Sequence, residues 1–410
     1  MVEAGDRVEV ESRGSSFEGV VMPSSSDDGL VLKLDDGYNV GFERESVEVE
    51  VLSEAEADVG EPDVETGVTE VEVDGSLPTV SLLSTGGTIA STVDYRTGAV
   101  TARFTADDVL RAIPELREQA NYRGRVVANE LSENLGPADW RALARAVYEE
   151  IERGVDGVVV MHGTDTMAFS ASALAFMLDV PVPVVFVGSQ RSADRPSSDN
   201  VVNAVCAVEA AKSDAAEVMV CMHAGRGDEG CSLHRGVRAR KNHTSRRDAF
   251  ESVGTRPMGY VDYESRDVEL KDGYRERGET DLALDSDLES DVEHVKFVPG
   301  KPPSRFPDDA AGVVIEGTGL GHVHTDWIEV IDGYDGVAVM TSGCIDGRVC
   351  DRVYDTGRDL LDAGVVEAGD TLPETAYVKL MWALANHPEP REAMASDLEG
   401  ELTGSSRPWT

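Results

Sequence analysis

Short, mostly apolar runs recur through the middle of the chain. They are Val80-Ser81-Leu82-Leu83, Gly157 to Met161, Val184 to Val187 and Val218 to Met222. Between them lie stretches with helical spacing. In Ala138 to Arg153 the residues Trp140, Leu143, Ala144, Val147 and Ile151 fall near one stripe, and Ala168 to Leu178 and Val201 to Ala211 are also helical. Apolar strands joined by helices imply a parallel sheet covered on both faces, whose ligands bind outside the carboxyl ends of the strands. A second, smaller α/β unit follows, with strands at Gly312 to Ile315 and Gly336 to Met340 and a last helix from about Glu374 to Asn386.

The first fifty residues follow a different period. Arg7-Val8-Glu9-Val10 and Leu30 to Leu34 have strand composition with partial alternation. Gly19 to Met22 is another short run, and turn signals fall at Ser24 to Gly29 and Asp35-Asp36-Gly37. This spacing predicts a small all-β barrel over 1–52, suited to docking or spacing and without catalytic groups. An acidic linker over 53–77 separates it from a domain over 78–270. Acidic and Pro-rich stretches, including Pro299-Gly300-Lys301-Pro302-Pro303, predict a second linker over 271–309, and the last unit spans 310–410.

Charge narrows the range of function. The 410 residues carry 78 acidic and 37 basic side chains, a formal net charge of −41, and only seven of the basic residues are lysine. Acidic residues spread along the whole chain fit a surface that works in concentrated salt, where the Debye length falls to about 3 Å at 1 M. The same charge argues against gripping a phosphate backbone alone, because that affinity comes largely from Lys and Arg. Five cysteines (206, 221, 231, 344 and 350) show no metal-ligand spacing and read as free thiols of a reducing cytoplasm. The start lacks the basic and apolar regions of a signal peptide, and no apolar run approaches the roughly 20 residues of a bilayer span.

Two segments at strand ends carry the candidate chemistry. Ser84-Thr85-Gly86-Gly87-Thr88-Ile89-Ala90 offers a sharp Gly turn that presents Thr88. Met161-His162-Gly163-Thr164-Asp165-Thr166 adds a carboxylate beside a hydroxyl, though Thr and Asp at a helix start also suit capping. A hydroxyl nucleophile needs a base. Lys241, within Arg238-Ala239-Arg240-Lys241-Asn242-His243-Thr244, is a lysine kept in an arginine cluster. Unlike Arg it can surrender its proton, but an exposed basic turn would read the same way. His162 reads as structural. Gly317-Thr318-Gly319-Leu320-Gly321 lacks full dinucleotide-loop spacing and reads as a turn, and no Walker motif is present.

The paired Thr-Gly-Gly-Thr-Ile-Ala and His-Gly-Thr-Asp-Thr segments with a downstream Lys resemble the bacterial-type L-asparaginase/glutaminase family over about 78–385. The resemblance implies an α/β fold, an asparaginase-like two-domain parallel-sheet core preceded by the small barrel. It implies Thr88 as nucleophile on the amide carbon, and Thr164, Asp165 and Lys241 as a relay that activates a hydroxyl or water. The order of attack between the threonines stays open. Asp165 would meet the substrate ammonium. Ser132, in Leu131-Ser132-Glu133-Asn134, would hold the substrate carboxylate, and Tyr95 matches a lid tyrosine. Glu133 stands where secreted asparaginases have Gln, which changes how the ammonium is held.

The barrel segments Gly5 to Val8 and Leu32 to Tyr38, with Leu372 to Trp382 near the other end, are similar to the glutamine-hydrolysing branch that serves archaeal tRNA-dependent amidation. That branch implies ammonia passed to an E-type partner of the amidotransferase. The partner holds ATP and Mg and binds Glu-tRNA(Gln), in a heterodimer or heterotetramer built on a homodimer of the asparaginase-like core. The alternative is a free-standing cytoplasmic L-asparaginase, which leaves the barrel without a purpose.

Overall fold

The computed structural model describes residues 6–12, 14–22, 29–34, 39–53, 69–71, 74–86, 91–93, 100–102, 109–110, 113–191 and 197–405. The N-terminal unit is a five-stranded antiparallel sheet, with β1 (Arg7–Ser12), β2 (Ser15–Met22), β3 (Gly29–Leu34), β4 (Asn39–Glu43) and β5 (Glu48–Ser53) in the order β4-β3-β2-β1-β5. Alternation sets its two faces. Val8, Val10, Val21, Leu30 and Leu32 are buried together, while Glu9 between two of them turns outward. The described pairings leave β4 and β5 as the edges of the sheet.

The central unit comprises β6 (Thr69–Val71), β7 (Thr79–Ser84), a hairpin of β8 (Ser91–Val93) and β9 (Val100–Ala102), β10 (Asn121–Val126), α1 (Pro137–Glu152), β11 (Gly157–Met161), α2 (Met167–Met177), β12 (Leu178–Asp179), β13 (Val184–Val187), α3 (Asn200–Ala211), β14 (Val218–His223), β15 (Gly230–Arg235), β16 (Ala239–Lys241), β17 (Phe250–Ser252), β18 (Gly259–Asp262), β19 (Val268–Leu270) and β20 (Ala283–Leu284). Nine strands form one sheet in the order β19-β18-β15-β14-β13-β11-β7-β10-β6. Its middle, β14-β13-β11-β7-β10, is parallel, as the apolar runs imply. The flanks β6, β15, β18 and β19 are antiparallel, which the sequence reading did not anticipate. Both faces are covered. Val158, Val160, Val184 and Phe186 point into one core with α1 and α2, and Val159, Met161, Val185 and Val187 into another with α3.

The second unit has β21 (Val292–Lys296), β22 (Gly312–Gly317), α4 (Asp326–Asp332), β23 (Val337–Ser342), α5 (Asp355–Asp362), β24 (Val366–Glu367), α6 (Pro373–Asn386) and α7 (Pro390–Ala395), with a parallel sheet in the order β21-β22-β23-β24. Its first strand lies within 271–309, the stretch expected to be a linker. Val-Glu-His-Val-Lys buries only its two valines at the sheet edge, so its composition resembles a loop. One apolar core runs through both units, because α2 is buried all round and packs on α6. Phe176 stacks on Trp382 and Phe169 meets Tyr377 edge-on. On α6, Lys379 is fully buried and pairs with the equally buried Glu401 at 2.6 Å. Among the described residues no helix is long and apolar enough to cross a membrane.

Candidate active site

The strand order places the motifs. From β7 the chain crosses to β10 on one side and then returns to β11 on the other, so the direction of winding reverses between β7 and β11. In open α/β sheets the ligand crevice lies outside the carboxyl ends at this switch point. The first motif begins there at Ser84 and the second at Met161. The Thr85 N–H donates to the Met161 carbonyl at 3.1 Å, which ties the two turns together. Gly86 then turns with φ of +108°, and a Cβ on it would lie 2.4 Å from the Glu130 carbonyl oxygen, so no other residue fits. Thr88 and Tyr95 lie outside the described residues.

The second turn is fully described. Thr164 is buried, Asp165 is 68% exposed at its side chain, and Lys241 is 12% exposed at its own. Lys241 Nζ donates to Thr164 Oγ1 at 2.8 Å and to Asp165 Oδ1 at 2.7 Å. A hydroxyl, a carboxylate and an amine from positions 76 and 77 apart in sequence therefore meet in one contact set. The distances lie within the range for proton transfer between hydroxyl and amine once the amine is neutral. Neither hydroxyl of the turn caps the helix that follows. Thr166, at the head of α2, makes no side-chain cap bond, and its Oγ1 donates instead to the Ser132 carbonyl at 2.6 Å.

That bond fixes the turn at Ser132–Asn134 against the second motif. Ser132 is buried and Glu133 is exposed. A Cβ on Gly163 would lie 2.6 Å from Ser132 Cβ, so the missing side chain at 163 lets the Ser132 turn close to within one residue of Thr164. His162 is buried and donates from Nδ1 to the Gly163 carbonyl at 2.6 Å, which leaves Nε2 to accept from the Ser170 hydroxyl at 2.8 Å. Burial pulls its pKa down to about 4, so it sits neutral as a strut of the turn. Among the described residues no three His, Cys, Asp or Glu side chains are grouped to hold a metal ion.

Known proteins match the chain over its full length. Residues 79–274 match the family described as Asparaginase, N-terminal, and 291–395 the Glutaminase/Asparaginase C-terminal domain. Residues 2–52 match the GatD N-terminal domain. The D subunit of the glutamyl-tRNA(Gln) amidotransferase of Halobacterium salinarum is 62% identical over 100% of this chain and 99% of its own. That of Methanosarcina barkeri is 51% identical over 97% of this chain and 98% of its own. The chain belongs to the family of glutamyl-tRNA(Gln) amidotransferase D subunits. Among solved structures, the thermostable L-asparaginase of Thermococcus kodakarensis aligns with a TM-score of 0.73 and 33% identity, covering 80% of this chain and 100% of that one. The D-subunit family thus joins an asparaginase-like core to a further N-terminal module.

Two groups that shape the site escaped the sequence reading. Thr166 belonged to the quoted motif, but its hold on Ser132 depends on a partner 34 residues away. Asp199, fully buried, accepts the Gln190 and Arg191 N–H groups at 2.9 and 3.0 Å and the Ser189 hydroxyl at 2.9 Å. It holds the loop after β13, next to the second motif. Both act through partners outside their own turn, which no local pattern marks.

Proposed function

We propose that this chain is the glutaminase component of a tRNA-dependent amidotransferase. It hydrolyses glutamine to glutamate and ammonia, and an E-type partner, holding ATP and Mg, uses the ammonia to convert Glu-tRNA(Gln) to Gln-tRNA(Gln). The observation that carries the reading is the full-length relationship to the D-subunit family, N-terminal module included. The acidic surface supports a division of labour in which the partner makes most of the tRNA contacts. Free thiols support a reducing cytoplasm as the place of work.

In this reading Thr88 Oγ attacks the side-chain amide carbon of glutamine and its proton passes to a base. The tetrahedral intermediate collapses with ammonia as leaving group, and water then hydrolyses the threonyl ester. Lys241 acts with Thr164 and Asp165 as the relay that takes and returns the proton. The contacts of 2.7 and 2.8 Å support this, because a base must lie within hydrogen-bond reach of the proton it moves. Ser132 and Asp165 anchor the substrate carboxylate and ammonium, Tyr95 closes over them, and Glu133 sets how the ammonium is received. The core pairs as a homodimer within the complex.

Glutamine hydrolysis by the purified chain, with and without partner and charged tRNA, tests the coupling. Activity is expected to rise with both, and activity independent of both would refute it. Thr88→Ala and Lys241→Ala should each lower kcat/KM by about a thousandfold or more, as loss of a nucleophile or base does. Near-normal turnover in either would reject the relay. A free-standing L-asparaginase is the second reading, favoured by the 33% identical solved structure. A kcat/KM for asparagine above that for glutamine in the complete complex would select it.

A further inference from the structure

Lys241 ends β16, a three-residue strand that among the described residues pairs only with the equally short β17. A ribbon of that size is marginal by itself. The alternation of a strand sends Lys241 toward Thr164 and sends Arg240 the opposite way. The segment 237–240 is tied to residues of the second unit. Arg238, fully buried, donates from Nε to the Gly400 carbonyl at 2.8 Å and from Nη1 to the Asp370 carbonyl at 3.0 Å, with the Asp370 carboxylate 3.4 Å away. Thr375 Oγ1 donates to the Val237 carbonyl at 3.0 Å and lies 3.0 Å from Ser172 Oγ on α2. Arg240 pairs with Glu374 at 3.3 Å.

We infer that Arg238 is a positioning residue for Lys241, and that Asp370, Glu374, Thr375 and the Gly400 turn form a clamp that makes the site depend on the second unit. The inference rests on the reading of Lys241 as the relay base. A buried guanidinium suits the task, since its planar fork stays charged and meets two carbonyls and a carboxylate at once. The tail that supplies Gly400 is itself anchored. Thr403 donates from its N–H to Asp370 Oδ1 at 2.9 Å, Thr371 Oγ1 donates to the Glu401 carbonyl at 3.1 Å, and Glu401 pairs with Lys379. The segment that carries the relay amine is thus braced by residues of the second unit and its tail.

The test uses the full chain with its partner and compares Thr375→Val, Glu374→Gln, Arg238→Gln, Arg238→Lys and Lys241→Ala. Three quantities are read: kcat and KM for glutamine, the pH dependence of kcat, and the rate of acylation of the Lys241 amine followed by peptide mass spectrometry. Since a displacement of about 1 Å can cost a hundredfold, Thr375→Val and Glu374→Gln should lower kcat by roughly 3- to 30-fold and leave KM within about twofold. In both, the alkaline or acid limb of the kcat profile should move and Lys241 should be acylated faster. Arg238→Gln should lose more, with part restored by Arg238→Lys. Where Arg238→Gln fails to fold, the Thr375 and Glu374 variants decide. Unchanged kcat, pH profile and Lys241 reactivity in those two would overturn the clamp, provided that Lys241→Ala is inactive. An active Lys241→Ala would instead overturn the relay.

Discussion

Asp351 and His162 are both buried titratable groups, and burial moves them in opposite directions. The His162 pKa falls to about 4 because the imidazolium loses its water. That of Asp351 is pushed up to about 7, first by burial and then by the neighbouring Glu367 charge. Neither Asp351 oxygen has a hydrogen-bond partner among the described residues. The folded chain therefore keeps a proton that the unfolded chain releases near 3.8. Stability from this group is complete below that value, declines by about 1.4 kcal/mol per pH unit as pH rises, and is gone above about 7. Asp351→Asn should remove the slope, so its advantage over the parent grows from pH 4.5 to pH 8 in chemical denaturation; an advantage that does not change with pH would refute the assignment. At this scale the sequence was partly legible. Thr164, Asp165 and Lys241 could be named because motif and residue type marked them. Thr166, Arg238 and Asp351 could not, since each acquires its meaning from partners, or from their lack, in the folded interior.

Among elements, the buried strands and the helices were the readable ones. Gly157–Met161 is apolar throughout because both its faces are covered, and the stripe of α1 faces one core. The antiparallel flank escaped because strands such as Gly230–Arg235 mix polar and apolar residues without a clean period, and the parallel edge strand Val292–Lys296 escaped for the same reason. Helix α6 shows what tertiary packing adds. Its Lys379 and the tail residue Glu401 are both fully buried, and Lys379 also donates to the Ser396 carbonyl at 2.5 Å. Breaking such a pair from one side leaves an uncompensated buried charge. Lys379→Met should therefore cost about 3–5 kcal/mol in urea unfolding, while Lys379→Met with Glu401→Leu should regain most of the loss. A double variant no more stable than the single would show that shape, and not charge, governs the site.

The whole molecule carries a net charge of −41. Many of its few cations are already committed internally, as in Arg235–Glu217, Arg238–Asp370, Arg275–Glu399 and Lys379–Glu401. The remaining anionic surface repels itself, and salt screens that repulsion as the Debye length falls from about 10 Å at 0.1 M to about 3 Å at 1 M. The thermal midpoint should climb by several degrees between 0.1 and 1 M KCl, and a flat midpoint would exclude self-repulsion as a main term. The charge excess was legible from composition alone, whereas the single core that α2 and α6 build across both units was not. The bracing of Lys241 also bears on the timing of synthesis. Asp370 and Gly400 follow Arg238 by 132 and 162 residues. At about 5–20 residues per second, a ribosome reaches Gly400 roughly 8–30 s after Arg238. During that interval the nascent chain lacks the brace inferred for Lys241, so the proposed glutamine hydrolysis would begin only once the tail has been made and has left the ribosome.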